Sequence, residues 1–369
     1  MGEVRFPGRL ALQQRVLTAY RAPFFAALAQ ACEGGLSVCA GLPRPAESIA
    51  ITDHLEYAEF VPLQNIHLFF KSPLYLCYQR GLLDWLEACD PAALIVEANP
   101  RYLSTPHAIN WMKKRDRPVL GWGLGAPPPS GSLAGPRKAS RLSFLRSFDA
   151  LLTYSRRGAQ EYAALGFPEE KIFVAPNAAV TSSTQPPPSR PAGFSGKPCV
   201  LFVGRLHARK RVDLLLRACA ALPEVLQPRL VIVGEGPERG PLEALARTVY
   251  PAAEFPGAKH GQELAPYFSA ADLFVLPGTG GLAVQEAMSY GLPVIMGQGD
   301  GTNDDLVRPA NGWQIPPDDL PALAEALRTA LSDAGRLRRM GAESYRIVRE
   351  EINLEKMVGV FVEAVNSVK

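Results

Sequence analysis

The chain has 369 residues, a formal net charge of +3 at neutral pH and 47% hydrophobic residues. This length predicts two domains with separate cores, and so small a net charge argues against nucleic acid as a partner. No apolar run approaches the roughly 20 residues of a membrane-spanning helix, and no signal peptide is expected. The six cysteines form no C-x-x-C pair, so we predict free thiols in a cytoplasmic protein and no structural metal site.

In the first half, strands alternate with helices, which predicts a parallel, doubly wound sheet. The predicted strands are Gln14–Ala19, Leu36–Ala40, Ala93–Glu97, Pro118–Leu120, Ala150–Tyr154 and Lys171–Val174. Two further segments, Phe60–Leu63 and Ile66–Phe70, could also be strands. The predicted helices include Leu82–Cys89, Pro106–Lys114, Arg137–Phe148 and Gly158–Leu165.

The second half shows the same alternation more clearly. Its predicted strands are Val200–Val203, Leu230–Val233, Ala253–Phe255, Leu273–Leu276, Pro293–Met296 and Trp313–Ile315. A proline-rich stretch without periodicity separates the halves and is typical of a linker. We therefore predict an α/β protein of two Rossmann-like, doubly wound domains facing each other across a ligand-binding cleft. The boundaries are 1–180 for the first domain, 181–198 for the linker, 199–350 for the second domain, and 351–369 for a C-terminal helix that could return to the first domain.

A basic turn follows the buried strand at Cys199–Val203. Gly204 opens the turn, and Arg205 and Lys210 are spaced so that both cations could reach one point above the strand. Two cations and the free N–H groups of a helix start suit a diphosphate. The alternative is a solvated basic loop.

A glycine-rich turn follows the strand at Leu273–Leu276. Gly280, Gly281 and Leu282 would present backbone amides at a second helix start. Glu286 lies one turn into that helix, where its carboxylate could accept hydrogen bonds from a ribose diol or simply be solvated. In the turn after the third strand, His260 is more typical of a polar loop residue than of a catalyst.

The second half resembles the retaining glycosyltransferases of family 4, which have the two-domain GT-B fold. The matching segments are VGRLHARKRVDLLL, LVIVGEGPERGPLEALA, FPGAKHGQELAPYFSAADLFVLPG, GGLAVQEAMSYGLPVI and NGWQIPPDDLPALAEAL, in the family's order and spacing. The first half resembles the family more loosely, through DALLTYSRRGAQEYAALGFPEEKIFVAPNA.

The resemblance implies hexosyl transfer from a UDP- or GDP-type sugar, with retention of configuration and without a metal or other cofactor. It implies that Arg205 and Lys210 hold the diphosphate and that Glu286 holds the ribose. Gly257, Ala258 and Lys259 would face the base, and the amides near Gly280 the sugar and phosphate. The acceptor would be a glycan, a lipid-linked sugar or a small molecule, as in cell-envelope or polysaccharide biosynthesis.

Three departures from the family pattern stand out. Gly278 occupies the position of the first glutamate of the E-x7-E motif, which contacts the donor sugar in the family. The segment from Gly121 to Gly125 lacks the family's histidine, and Tyr20–Phe25 replaces its Gly-Gly loop.

Three residues of the first half are candidate contacts for the acceptor or a phosphate. Arg21, Arg101 and Trp122 each lie near a predicted strand end. For Arg21 and Arg101 the alternative is a structural role, which for Arg21 would be a salt bridge.

Two alternatives to the transferase remain: a sugar-nucleotide epimerase on the same fold, or a nucleotide-sugar-binding protein without turnover. A separate question is membrane contact. Arg137, Lys138, Arg141 and Arg146 lie on a predicted helix that also carries apolar residues, which is compatible with attachment to the inner face of a membrane or with a solvated basic face.

Overall fold

The computed structural model describes residues 5–44, 47, 49–69, 74–127, 129, 134–182, 185–299 and 301–368. The chain divides into two compact units, residues 1–179 with 354–369, and residues 180–353. Each unit is built on a parallel sheet with helices, so the predicted α/β class with two Rossmann-like units is confirmed.

The first unit contains a parallel sheet in the order β3-β2-β1-β6-β7-β8-β9 and a separate antiparallel pair, β4-β5. The strands are β1 Leu10–Val16, β2 Leu36–Gly41, β3 Glu59–Pro62, β4 Gln64–Leu68, β5 Leu76–Arg80, β6 Ala93–Glu97, β7 Val119–Gly123, β8 Ala150–Thr153 and β9 Ile172–Val174. The strand order reverses direction between β1 and β6, and such a switch point opens a crevice at the carboxyl ends of the strands.

The helices of this unit cover the sheet and close its hydrophobic core. They are α1 Ala22–Gln30, α2 Leu82–Cys89, α3 Thr105–Lys113, α4 Ala134–Leu145, α5 Arg156–Leu165 and, from the end of the chain, α13 Leu354–Ser367. Helix α13 joins the core through Phe361, whose ring lies 4.9 Å from those of both Phe24 and Trp122. Its end is held by the Asn366 side-chain amide, which donates to the Arg5 carbonyl at 3.1 Å.

The first strand was predicted too late in the chain, because it begins at Leu10 rather than Gln14. Gln13 and Gln14 lie inside the sheet with exposures of 0% and 8%, which a hydrophobicity pattern does not anticipate. Their polar atoms are satisfied: the Gln13 and Gln79 side chains are hydrogen bonded, and Gln79 Nε2 donates to the Gln14 carbonyl at 2.9 Å. Strand β5, which carries Gln79, was missed in the sequence.

The second unit has a parallel sheet in the order β12-β11-β10-β13-β14-β15. Its strands are β10 Cys199–Val203, β11 Arg229–Val233, β12 Glu254–Gly257, β13 Leu273–Leu276, β14 Val294–Gly297 and β15 Gly312–Ile315. Its helices are α6 Val212–Ala220, α7 Arg239–Val249, α8 Ala265–Ala270, α9 Ala283–Ser289, α10 Thr302–Leu306, α11 Leu320–Leu331 and α12 Ala334–Glu350. Here each predicted strand lies within about two residues of an observed one.

The proline-rich segment has no helix or strand among its described residues, but it is fastened to the second unit. The Arg190 guanidinium donates to the carbonyls of Ala271, Tyr290 and Phe268 at 2.8–2.9 Å. The Tyr345 hydroxyl donates to the Gln185 carbonyl at 2.5 Å. These contacts hold residues 185–198 against the second unit as a strap.

Among the described residues, no helix is both long enough and apolar enough to cross a membrane. All six cysteines are buried and unpaired, as the sequence predicted. The basic helix predicted at Arg137–Phe148 is α4, which begins and ends three residues earlier. Its residues Arg137 and Lys138 are exposed, whereas Leu145 is buried in the core.

Candidate functional site

The turn after β10 places its two predicted cations differently. It runs from Gly204 to Arg211, where the backbone takes a left-handed conformation (φ 53°) before α6 begins. Arg205 is exposed on this turn, whereas Lys210 is only 8% exposed. A lysine is rarely this buried without hydrogen-bond or charge partners. The groups around Lys210 therefore determine what the turn can bind.

Lys210 joins the turn after β10 to the glycine-rich loop after β13. Its Nζ donates to the carbonyls of Thr279 and Gly280, at 2.8 and 2.5 Å. In return, the Thr279 amide donates to the carbonyl of Arg209 at 3.2 Å. An ammonium group has three N–H donors, so two carbonyls leave one donor for a ligand.

Burial lowers the pKa of Lys210 to about 8, with a further contribution from the neighbouring charge of Arg209. The ammonium group is therefore still mostly protonated at neutral pH. It has lost much of its hydration and has gained no carboxylate partner among the described residues. A partly desolvated cation of this kind gains from an incoming anion, because the anion replaces the missing solvation.

Gly278 is the residue that allows the two loops to approach. A Cβ placed there would lie 2.0 Å from the Arg209 carbonyl oxygen and 2.6 Å from the Lys210 backbone. Any larger residue would push the glycine-rich loop away from Lys210. The structure thus gives a packing reason for the glycine found where the resembling family has a glutamate.

Two neighbouring loops are packed in the same way. A Cβ at Gly234, which follows β11, would lie 1.9 Å from the Gly204 carbonyl oxygen, and one at Gly297, at the end of β14, 2.2 Å from that of Pro277. The loops after β10, β11, β13 and β14 therefore touch through their backbones. Since parallel strands end at one edge of a sheet, these loops form a continuous surface rich in backbone there.

Glu286 lies in the first turn of α9, which begins directly after the glycine-rich loop. The side chain is half-buried, and burial alone raises the pKa of the carboxyl group. Gly280 and Gly281 precede it with φ values of 65° and 152°, and ideal Cβ positions on them lie 3.9 and 3.7 Å from the Lys210 Nζ. The structure therefore brings Lys210 and these glycines together in one loop pair.

The third predicted group lies at the end of β12. Gly257 is buried with φ 82°, and its neighbours are the side chains of Arg239 and Glu235, which form an ion pair. Lys259 lies 3.9 Å from Glu263, and Ala258 is exposed. No described contact joins this group to Lys210. The nearby His260 caps the following turn through its backbone and side chain, which fits the predicted loop role.

In the first unit the structure brings Arg21 and Trp122 together. Arg21 Cζ lies 5.1 Å from the centroid of the Trp122 ring, and Arg21 forms no ion pair with any described carboxylate. The structure therefore shows no salt bridge for Arg21 among the residues it describes. Arg101 is exposed and lines a cavity of about 460 Å³ together with Trp122.

Glu97, at the carboxyl end of β6, is a residue that sequence reasoning did not select. Its Oε1 accepts a hydrogen bond from the Arg15 amide at 3.1 Å, and it lines the same cavity. Burial raises the pKa of Glu97, although hydrogen bonds from the Arg15 amide and the Tyr102 hydroxyl oppose the shift. The sequence did contain a signal for this residue, because Glu97 is an acidic residue at the end of the otherwise apolar strand β6.

Among the described residues, no three His, Cys, Asp or Glu side chains are grouped closely enough to hold a metal ion. The features with a clear binding chemistry are a buried ammonium group with a free donor, a glycine-rich loop and a nearby carboxyl group. Together they suit an anion attached to a polyhydroxylated group.

Residues 189–347 match the family model described as glycosyl transferases group 1. The chain is 41% identical over 126 residues to a GDP-mannose-dependent α-mannosyltransferase of Mycobacterium tuberculosis, and the match covers 33% of this chain and 31% of that protein. It is 37% identical over 147 residues to the sulfoquinovosyl transferase SQD2 of Arabidopsis thaliana, covering 38% of this chain and 28% of that protein. The matches thus span less than a third of these relatives.

Solved structures match over nearly the whole chain. The lipopolysaccharide outer core galactosyltransferase WaaB superposes with a TM-score of 0.68 at 17% identity, covering 97% of this chain and 99% of that chain. Anabaena HepE, solved in complex with UDP, gives a TM-score of 0.69 at 14% identity over 97% and 99%. At these identities the likeness shows the fold, which is GT-B.

Proposed function

We propose that this protein is a glycosyltransferase that moves a hexosyl group from a nucleoside diphosphate sugar to an acceptor. The observation that carries the proposal is Lys210: a buried, partly desolvated ammonium group held against the glycine-rich loop with one donor to spare. The matched region at residues 189–347, named for glycosyl transferases group 1, contains this whole arrangement. Membership of family 4 is the finer proposal, supported by the motif spacing.

The proposed roles follow from the chemistry of the leaving group. Negative charge accumulates on the nucleoside diphosphate as the sugar–phosphate bond breaks, and preformed cations and amides stabilise it. Lys210 and the exposed Arg205 would bind the diphosphate, and the loop amides at Gly280, Gly281 and Leu282 would contact phosphate and sugar. Glu286 would accept hydrogen bonds from the ribose. Gly257, Ala258 and Lys259 would contact the base. This arrangement would act without a metal ion.

The donor base is proposed as uracil or guanine. HepE was solved with UDP, and the mycobacterial relative is named as GDP-mannose-dependent. Retention of anomeric configuration follows only from the resemblance to family 4. The acceptor is proposed as a glycan or a lipid-linked sugar of the cell envelope, and the location as cytoplasmic.

Contact with a membrane surface is proposed through α4. The helix exposes Arg137 and Lys138, but Leu142 and Phe144 are only partly exposed and Leu145 is buried. The apolar side of α4 therefore faces the protein. Attachment would rest on the charges and an anionic lipid surface rather than on insertion of apolar side chains.

The alternative is a protein that binds the nucleotide sugar without turnover. Gly278 favours it, because the position that carries a sugar-contacting glutamate in the resembling family has no side chain and no room for one. Nothing in the site specifically favours the epimerase.

Titration calorimetry with UDP and GDP tests the proposal directly. We expect one of them to bind, and Lys210→Met to weaken it by on the order of 100-fold, the scale for losing one preorganised donor to an oxyanion. Arg217→Met is the matched control, since Arg217 is an exposed cation on α6. Equal affinity in wild type and Lys210→Met would contradict the assignment.

A second assay separates the transferase from the binder. Donor hydrolysis or transfer, followed by release of UDP or GDP from a panel of nucleotide sugars, should occur with wild type and fall with Lys210→Met. Tight nucleotide binding without any turnover across donors and acceptors would support the alternative.

A further inference from the structure

Arg21 is a buried cation at the switch point of the first sheet. It follows β1, forms the N-cap of α1 and is only 4% exposed. Its guanidinium group offers five N–H donors and no acceptor. Its position at the carboxyl edge of the sheet is where α/β proteins bind ligands.

The surroundings of Arg21 contain aromatic faces, and no described carboxylate is ion-paired or hydrogen bonded to its guanidinium group; Glu97 interacts with it electrostatically at longer range. Its Cζ lies 5.2, 5.1 and 5.0 Å from the ring centroids of Tyr20, Trp122 and Tyr154. Among the described residues, its guanidinium group donates one hydrogen bond, to the Met357 sulfur at 3.8 Å, and sulfur is a weak acceptor. Aromatic faces orient a guanidinium group and attract it, but they do not neutralise it.

A second unpartnered donor lies beside the first. Trp122 is 2% exposed, and its indole Nε1 has no hydrogen-bond partner among the described residues. Buried polar atoms are nearly always paired, so an unpaired one calls for an explanation. Both groups donate hydrogen bonds, so the partner they lack is an acceptor.

The same aromatic residues line a cavity within the first unit. Trp122 and Tyr154 form part of the wall of the 460 Å³ cavity, together with the loop after β6, the loop after β7 and residues of α4. The charged side chains on its wall are Arg101, Arg141 and Glu97. The Glu97 carboxylate is already hydrogen bonded to the Arg15 amide; it interacts with Arg21 electrostatically at longer range, but the two form no ion pair. With two arginines in the wall and a third beneath its aromatic rings, the cavity suits a group with a negative charge.

We propose that Arg21 and Trp122 form a binding site for an oxyanion, a phosphate or a carboxylate, and that this group belongs to the acceptor. The acceptor assignment rests on the proposed function; the oxyanion site stands without it. The donor has its own cation in Lys210 of the second unit, so the unpaired charge of Arg21 remains for the other substrate. The acceptor class would then be a phosphorylated or acidic sugar or lipid rather than a neutral glycan.

The test measures anion binding with inorganic phosphate and with acetate, each compared with chloride at equal ionic strength. UDP or GDP, whichever binds the protein, is kept saturating so that the proposed diphosphate site in the second unit is occupied. Thermal unfolding and tryptophan fluorescence report binding, since Trp122 touches the guanidinium group. We expect wild type to show saturable stabilisation by one of the two anions that chloride does not reproduce.

The variants separate the site from a general salt effect. Arg21→Met should remain folded, because methionine suits an aromatic and apolar environment, and should weaken anion binding at least tenfold. Trp122→Phe keeps an aromatic ring but removes the N–H donor, and it should weaken anion binding by a smaller factor than Arg21→Met. Arg217→Met should change neither anion nor UDP affinity. If Arg21→Met does not fold, Arg21→Lys and Trp122→Phe are used in its place, and both should lower the affinity for the anion.

Three results would overturn the proposal. Wild type without any anion-specific stabilisation shows that no such site exists. Unchanged anion affinity in both Arg21→Met and Trp122→Phe places the anion elsewhere. Competition between phosphate and UDP, with UDP binding weakened by Arg21→Met, assigns Arg21 to the donor diphosphate instead. If neither UDP nor GDP binds, the proposed function fails. Phosphate titration of Lys210→Met, which lacks the proposed diphosphate cation, then still tests the oxyanion site.

Discussion

Nucleotide affinity should fall steeply above pH 8 because of Lys210. Its pKa is about 8 in the free protein, since burial and the charge of Arg209 disfavour the ammonium form. A bound diphosphate favours that form and raises the pKa, so binding above pH 8 requires the uptake of a proton. The affinity is then constant below the free pKa and falls as the pH rises through it, by tenfold per pH unit.

The magnitude can be worked out for a nucleotide complex in which Lys210 stays protonated throughout. Between pH 7 and pH 9.5, a free pKa of about 8 weakens binding by about 30-fold, or about 2 kcal/mol. Lys210→Arg keeps the positive charge over this range, so its affinity, even if lower at pH 7, should change by less than about threefold. Comparing the two slopes isolates the titration of residue 210.

The assay is calorimetric titration with UDP or GDP at half-unit steps of pH and constant ionic strength. Buried cysteines such as Cys32 and Cys219 have raised pKa values, so the fold loses stability once the pH exceeds the pKa of an unfolded thiol. Circular dichroism at each pH therefore confirms that the protein is still folded. A wild-type affinity that stays flat to pH 9.5, or that falls equally in Lys210→Arg, would refute the role given to Lys210.

Three further predictions test other parts of the structure. Glu286→Gln should raise the donor KM more than it lowers kcat, and a collapse of kcat at unchanged KM would give Glu286 a chemical role. Because burial raises the pKa of Glu286, wild type should lose nucleotide affinity in mild acid as this carboxyl group is protonated, and Glu286→Gln should not show that loss. Gly278→Ala should lower the free energy of unfolding, measured in urea, by about 1–3 kcal/mol through overpacking. The control Gly240→Ala, at an open position in α7, should be neutral or slightly stabilising. Equal changes in the free energy of unfolding for the two variants would contradict the loop packing. Wild type should cosediment with anionic liposomes at low salt and dissociate from them at high salt. Replacing Arg137 and Lys138 with Gln should weaken the binding to liposomes at low salt. Binding that changes neither with salt nor with these two charges would exclude electrostatic attachment through α4.

The sequence predicted the second unit well because its strands are short, buried and apolar. Val200–Val203 and Leu273–Leu276 are buried throughout, so the hydrophobic pattern and the structure coincide. In strands β1 and β5 of the first unit, the buried positions do not all coincide with hydrophobic residues. Strand β1 buries two glutamines that are paired with β5. Burial alternates along β5, but its buried Gln79 is polar, and β4 is only partly buried, so neither strand shows an alternation of apolar and polar residues.

The candidate site was predictable as a set of residues but not as an arrangement. The spacing of Arg205 and Lys210 suggested two equivalent cations, whereas the structure exposes one and buries the other. What fixes Lys210 is a pair of backbone carbonyls from a loop almost 70 residues later. Backbone carbonyls leave no trace in a sequence. A sequence likewise does not reveal that Arg21 forms no ion pair with any residue that the structure describes.

Gly278 and Lys210 are best understood as one feature. The glycine lets the Arg209 carbonyl and the Lys210 backbone lie against the loop after β13, and that approach brings the Thr279 and Gly280 carbonyls within hydrogen-bond distance of the ammonium group. A glutamate at position 278 would need a different course for one of the two loops, since its Cβ alone would overlap the Arg209 carbonyl. The missing carboxylate is therefore tied to the way this chain positions its cation, and a donor sugar would have to be held by other groups. The loop amides beside Lys210 and the carboxyl group of Glu286 are the nearest described candidates along the chain.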